Sequence, residues 1–237
     1  MSVDFVIPVR NEGPNIARAL DELYEKVPQS KRVLLVYDSE DDDTLPVVRE
    51  CMDRYPGLTL VPNRRGPGLL NAIRSGFEAA TSSIVIVTMA DLSDDISVAS
   101  LMISLIEQQR ADVVCASRYM RGGKQIGGPW LKGMLARAAG MSLHALAGFP
   151  THDATNAFRA YRRSVLDAIP IQTTGGFEFS LELTAKAHAA GYKVVEIPAR
   201  WRGRAAGAST FRLWKWLPHY LHWYWYALTH RPPMRQR

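Results

Sequence analysis

Cysteine is nearly absent from this 237-residue chain, which holds two, Cys51 and Cys115. They sit far apart in apolar settings, so a disulfide framework is excluded and free thiols in a reducing compartment are expected. The opening Met1-Ser-Val-Asp-Phe5 has neither a basic stretch nor a long apolar run, and no secretory leader is expected. The commonest nucleotide signatures are missing as well. Asn11-Glu-Gly-Pro-Asn15 stands where a dinucleotide-binding protein would carry G-x-G-x-x-G, and no P-loop occurs; the G-x-S-x-G elbow of serine hydrolases is absent too. His219 and His222 are the one close histidine pair with ligand spacing, and they lie among aromatic residues. Acid is missing at one end: residues 200–237 hold eight Lys and Arg and no Asp or Glu. With a net charge of +6, the rest of the chain is at −2 (6 − 8). A basic tail on a mildly acidic body suits an anionic partner such as phosphate groups, lipid headgroups or nucleic acid.

What is present is a βα alternation. The chain is 47% apolar, enough for a sizeable core. Ile84-Val-Ile-Val87 reads as a strand buried on both faces, and Asp91, Asp94 and Asp95 follow its end. Strands are also predicted at 3–9, 32–37, 58–61 and 113–116. Helices are predicted from Pro14, at 44–55, 69–80 and 98–106. Five short alternations of this kind predict a mostly parallel sheet flanked by helices. Beyond it, the Gly-rich and basic stretch 118–130 reads as a long mobile loop, and long loops in compact domains are often functional. Helices at 131–146 and 177–190 and strands near 161 and at 193–198 complete the domain, which is placed at residues 1–211.

In a parallel sheet the carboxyl ends of the strands share one rim, where ligands bind. There the first strand offers Pro8, Asn11 and Glu12, and the second offers Asp38 with Asp41 to Asp43. The third connection offers Arg64, Arg65, Gly66 and Gly68, and the fourth Asp91. Acids can bond base or ribose hydroxyls, while arginines and Gly-rich backbone approach phosphates. A divalent cation at Asp91 would neutralise a diphosphate. The set reads as a nucleoside diphosphate site. The plainer readings are that Asp94 and Asp95 cap the following helix, and that Asp41 and Asp43 sit in a solvated loop. A nucleic-acid site would need a basic groove with stacking platforms, which the acidic loops oppose.

Residues 212–237 form a separate basic, aromatic segment. Leu213 to Leu228 contains four of the six tryptophans, and it is too short and too polar to span a bilayer. It reads either as an interfacial helix at a membrane surface or as an aromatic helix packed on the domain or on a partner.

Eight motifs occur in order: Ile7-Pro-Val-Arg-Asn-Glu12, Val36-Tyr-Asp-Ser-Glu-Asp-Asp-Asp-Thr44, Asn63-Arg-Arg-Gly-Pro-Gly-Leu-Leu-Asn-Ala72, Met89-Ala-Asp-Leu-Ser93, Ala116-Ser-Arg-Tyr119, Asp153-Ala-Thr-Asn-Ala-Phe-Arg-Ala-Tyr161, Gly176-Phe-Glu-Phe-Ser-Leu-Glu182 and Arg204-Ala-Ala-Gly-Ala-Ser209. Together they resemble the family 2 inverting glycosyltransferases, in particular dolichyl- or polyprenyl-phosphate mannose (or glucose) synthases. The resemblance implies a GT-A fold, a nucleotide-sugar donor, Mg2+ or Mn2+, and a polyprenyl phosphate acceptor. It also implies work on the cytoplasmic face of a membrane, held there by the tail or by a membrane-anchoring partner, and no nucleic-acid partner. On that pattern Pro8, Asn11, Glu12, Asp38, Gly68 and Asp91 bind the nucleotide sugar, and Asp91 with Ser93 hold the metal. Arg118, Lys132, Arg204 and Ser209 take the acceptor phosphate. Asp91, Arg118, Glu178 and Arg204 form the catalytic set, with Glu178 or Glu182 beside the sugar or metal. For a hydroxyl acceptor a base is required, and Asp153 and Glu178 are the candidates. The chain departs from the family pattern at Met89, which replaces the first acid of D-x-D, and at Tyr37, Lys132, Asn156-Ala157 and Thr210. Loss of that acid keeps open a sugar-nucleotide-binding protein without turnover.

Overall fold

The computed structural model of the chain describes residues 2–203, 213–230 and 232. Its first half is the expected alternation: β1 (Val3–Val9), α1 (Gly13–Lys26), β2 (Lys31–Tyr37), α2 (Thr44–Cys51), β3 (Leu58–Pro62), α3 (Leu69–Ala79), β4 (Ile84–Val87), α4 (Ala99–Glu107) and β5 (Val113–Ser117). There follow β6 (Lys124–Ile126), α5 (Trp130–Ala147), β7 (Arg159–Arg162), α6 (Arg163–Ala168), α7 (Phe179–Ala189), β8 (Val194–Pro198), β9 (Arg200–Arg202) and α8 (Leu213–Thr229).

Seven strands form one sheet in the order β3-β2-β1-β4-β7-β5-β8. All its pairings are parallel except those of β7, which runs antiparallel between β4 and β5. Alternate side chains of each strand go to opposite faces. Phe5, Ile7 and Val9 of β1 pack with Ile16, Leu20 and Ile103 of the helices on one side, while Val6 packs with Ile73 and Phe179 on the other. α3 lies so close that a Cβ on Gly76 would fall 2.2 Å from a Val6 methyl carbon, so a larger residue there would lift the helix off the sheet. Both cysteines are buried and free.

A third cluster, Leu143, Phe149, Leu181, Trp223 and Ala227, fastens α8 to α5 and α7. α8 therefore packs on the domain along its Trp223 side, with Trp225 left 67% exposed on the other. Among the described residues no helix is long and apolar enough to cross a membrane.

The predicted loop 118–130 departs from expectation. Its centre is β6, which pairs in parallel with β9 in a small second sheet, Lys124 opposite Arg200 and Ile126 opposite Arg202. A three-residue strand leaves no periodic signal in sequence, and its partner is about 75 positions away, so the pairing is invisible locally.

Candidate active site

β1 is flanked by β2 on one side and β4 on the other, so the strand order reverses between β1 and β4, and the crevice beyond their carboxyl ends is where open α/β sheets take ligands. A cavity of about 330 Å3 opens there, lined by Met89, Asp91, Ser93 and Asp94 from the segment after β4 and by Arg118 from the end of β5. Gln125, Trp201 and Tyr220 close it from β6, β9 and α8, and Lys132 comes from α5. Of the residues expected from sequence, the cavity thus gathers Asp91, Ser93, Arg118 and Lys132.

The acids are presented by a sharp turn. Leu92 takes a left-handed backbone, φ 60°, which is uncommon for a residue with a branched side chain and is held by its surroundings. The Ser93 N–H donates to Asp91 Oδ1 at 3.1 Å. The Thr88 hydroxyl, at 3.0 Å, and the Met89 N–H, at 3.3 Å, donate to Asp94 Oδ2. Asp94 is thus not the helix cap that its position suggested. Asp95 fills the cap position before the short turn at Ile96, without a side-chain capping bond. Burial, and then the charge of Asp91, push the Asp94 carboxyl up to about 7.

Two carboxylates and a hydroxyl on one wall are hard oxygen donors, and their mutual repulsion is what a divalent cation would relieve. Met89 brings a thioether to the place of a further acid, and no cluster of three or more His, Cys, Asp or Glu with metal-ligand geometry occurs among the described residues. The donor set fits an ion of the Mg2+ or Mn2+ kind, bound by one or two carboxylates and completed by phosphate oxygens and water.

Arg118 lines the same cavity. Its Nε donates to Asp153 Oδ2 at 2.6 Å, and its Nη2 donates to Asp153 Oδ1 at 2.8 Å and to Thr155 Oγ1 at 2.9 Å. Nη1 makes no hydrogen bond among the described residues. Burial raises the Asp153 carboxyl, but the charge and hydrogen bonds of Arg118 outweigh it and hold the group below the usual range. Asp153 is fully buried with both oxygens committed, so it orients Arg118 and does not serve as a base.

Glu178 is also fully buried and lines no part of the cavity, although its neighbours Phe177 and Phe179 do. It accepts from the Thr173 hydroxyl and, at 3.0 Å, from the Gly176 N–H. Glu182 accepts from the N–H groups of Gln172 and Thr173 at 2.6 and 2.9 Å. Both acids tie the 172–176 loop to α7 and neither reaches the cavity, contrary to the sequence reading.

The other residues that the sequence reading assigned to the nucleotide, Pro8, Asn11, Glu12, Asp38 and Gly68, are not in the lining of this cavity. Asp38 accepts from the Asn63 amide at 2.7 Å and from the Gly68 N–H at 2.9 Å. Gly68 has φ 121°, a conformation open to glycine, and it turns the chain into α3, so that the next residue, Leu69, enters the cavity wall. Glu12 accepts from Asn15 Nδ2 at 2.8 Å while its own N–H donates to Thr44 at 2.9 Å. Asp42 is buried and Asp43 is exposed, as the solvated-loop reading of Asp43 expected, and they accept from the N–H groups of Asn11, at 3.0 Å, and Gly13, at 2.9 Å. They thereby lock the loops after β1 and β2 together beside Pro8. Arg204 and Ser209 lie outside the described residues. The sequence reading missed Asp94, Gln125, Trp201 and Tyr220; a third acid within four positions of Asp91 was the one available signal.

Residues 4–169 match Glycosyl transferase family 2. The chain is 30% identical over 210 residues to polyprenol monophosphomannose synthase of Mycolicibacterium smegmatis, covering 86% of this chain and 78% of that protein. It is 27% identical over 221 residues to dolichol-phosphate mannosyltransferase of Pyrococcus furiosus, covering 90% of this chain and 60% of that protein. Its fold matches a mannosyltransferase from Pyrobaculum calidifontis solved with GDP-mannose and Mn2+, with a TM-score of 0.63, 21% identity, and 87% of this chain and 58% of the other covered. The fold is accordingly of the GT-A type, and the chain belongs to the family 2 glycosyltransferases.

Proposed function

We propose that this protein transfers a hexosyl group, mannosyl on the pattern of its relatives, from a nucleoside diphosphate sugar to a polyprenyl phosphate at a membrane surface, with inversion. The observation that carries this reading is one cavity lined both by Asp91, Ser93 and Asp94 and by Arg118 and Lys132. The acids suit a cation and the diphosphate it neutralises, and the basic side chains suit a second anion.

Asp91, Asp94 and Ser93 would hold the divalent cation, which when bound supplies charge neutralisation for the departing diphosphate. Asp38, Glu12 and Gly68 form the nucleoside rim. Arg118, fixed by Asp153, presents its remaining Nη1 to the acceptor phosphate, with Lys132 beside it. A phosphate oxygen attacks the anomeric carbon, the bond from that carbon to the diphosphate breaks, and the electron pair leaves with the nucleoside diphosphate. A phosphate monoester is anionic at neutral pH, so no base is required, in keeping with Asp153 and Glu178 being buried outside the cavity lining and already committed to other partners. The rate enhancement then rests on positioning and preorganised charge. The acceptor reading places the protein on the cytoplasmic face of a membrane, with residues 212–237 as a candidate contact segment.

A second reading, nucleotide-sugar binding without turnover, is favoured by Met89 alone. Incubating the protein with GDP-mannose or UDP-glucose, a polyprenyl phosphate and Mn2+ or Mg2+, and following both nucleoside diphosphate and glycolipid, separates the two. Metal-dependent formation of both products is expected. Saturable binding with no release of diphosphate from any donor would leave the binding reading.

A further inference from the structure

We infer that the outer face of α5, with the basic cleft beside it, is a docking surface for an anionic lipid bilayer. α5 has two faces. Its inner residues Lys132, Gly133 and Ala136 line the cavity, and Leu143 and Ala147 are buried against the domain. Its outer face carries Trp130, 72% exposed, with Leu131, Met134, Leu135 and Met141, all exposed, and Ile126 of β6 joins them. Nothing among the described residues covers these side chains, and contiguous large apolar groups on a surface mark an interaction site.

The charge around this face identifies the occupant. From Arg118 to Ala147 there are five Lys and Arg and not one Asp or Glu. A cleft of about 430 Å3 beside α5 is lined by Arg118, Arg121, Lys124, Ile126 and Arg137, with no acid in its wall. Arg118 is met by Asp153, whereas Arg121, Lys124 and Arg137 have no carboxylate partner among the described residues. Ile126 belongs to both the cleft and the exposed apolar face. A helix with exposed Trp, Leu and Met, flanked by unpaired cations, matches a monolayer of anionic headgroups over acyl chains. The surface deepens the proposed function, and its orientation rests on that reading: the same helix that meets the lipid walls the cavity, so an acceptor phosphate at headgroup depth lies beside Arg118 and Lys132.

The test is flotation of the full chain with phosphatidylcholine vesicles, with and without phosphatidylglycerol. Two multiple variants accompany it, Met134→Ser with Leu135→Ser, and Arg121→Gln with Lys124→Gln and Arg137→Gln. Circular dichroism and transfer to a water-soluble short-chain prenyl phosphate without vesicles check their fold and basal activity. The parent protein is expected to float with the anionic vesicles. The serine variant is expected to bind both vesicle types at least about tenfold more weakly. The glutamine variant is expected to lose about fivefold per cation removed, on anionic vesicles alone. A parent protein that stays with the unbound fraction, as one docking on a protein partner would, overturns the inference, and so do variants that float as the parent does. Flotation without any transfer to the soluble acceptor would instead reject the acceptor reading and leave the surface standing.

Discussion

Arg118 and Asp153 meet fork to fork, with Nε and Nη2 of the guanidinium on the two oxygens of one fully buried carboxylate. The pair spends two of Arg118's donor positions on orientation and aims the remaining nitrogen without letting the side chain wander, which is the use of a planar guanidinium that a lysine could not reproduce.

Breaking the pair from the carboxylate side should therefore be costly. Asp153→Asn leaves a buried cation without its counterion, and an unfolding free energy lower by about 3–5 kcal/mol is expected. The pH dependence has a definite sign. The folded protein keeps Asp153 ionised to lower pH than the unfolded chain, whose carboxylate titrates near 3.8. The stabilisation is thus complete above that value and is lost as pH falls through the depressed folded value. Denaturation followed as pH falls below about 4 should show a steeper loss in the parent protein than in Asp153→Asn; equal slopes would refute the assignment.

The two acids of the cation wall can be told apart from a structural role by a binding measurement. Calorimetric titration of GDP or UDP in the presence of Mn2+ is expected to weaken at least about tenfold, ~1.4 kcal/mol, in both Asp91→Asn and Asp94→Asn. Titration without metal should change little or improve, because a negative charge facing the diphosphate is removed. If Asp94→Asn binds as the parent does in Mn2+, Asp94 is no ligand and Met89 marks a site with one carboxylate.

The aromatic helix offers a contrast within two residues. Trp223 is 4% exposed in the cluster under α5 and α7, and Trp225 is 67% exposed. Trp223→Ala is expected to cost about 3–5 kcal/mol through the cavity it leaves, and Trp225→Ala to stay within about 0.5 kcal/mol. Urea denaturation of each variant reads this directly; similar losses would mean that the outer face of α8 is also covered. For the same reason, truncation before residue 213 would expose Leu143 and Leu181 and would confound any test of membrane binding by this segment.

The βα half of the molecule was legible because each element declares itself locally. Ile84 to Val87 is a buried strand by composition alone, and Asp91 follows it at the rim that parallel strands share. β7 was not legible as an antiparallel strand between β4 and β5. Its sequence, Arg-Ala-Tyr-Arg, puts a fully buried arginine in the core, and Arg159 is tolerated there because it donates to the Ser180 carbonyl, the Thr184 hydroxyl and, at 3.0 Å, the Asp153 carbonyl, partners about twenty residues downstream and six upstream. Asp94 was misread for a different reason: an acid before a helix is usually a cap, and the left-handed turn at Leu92 that redirects it has no glycine to announce it. Glu178 erred the other way, a carboxylate in a motif that the fold uses to hold a loop.

The pairing of β6 with β9 has a consequence for how such proteins diversify. The segment leading into α5 and the segment leading towards Arg204 are stitched by backbone hydrogen bonds, with Gln125 and Trp201 side by side in the cavity wall. Neither can be exchanged alone without stranding the other's amides. Reshaping this part of the cavity wall would mean transplanting both stretches together as one cassette.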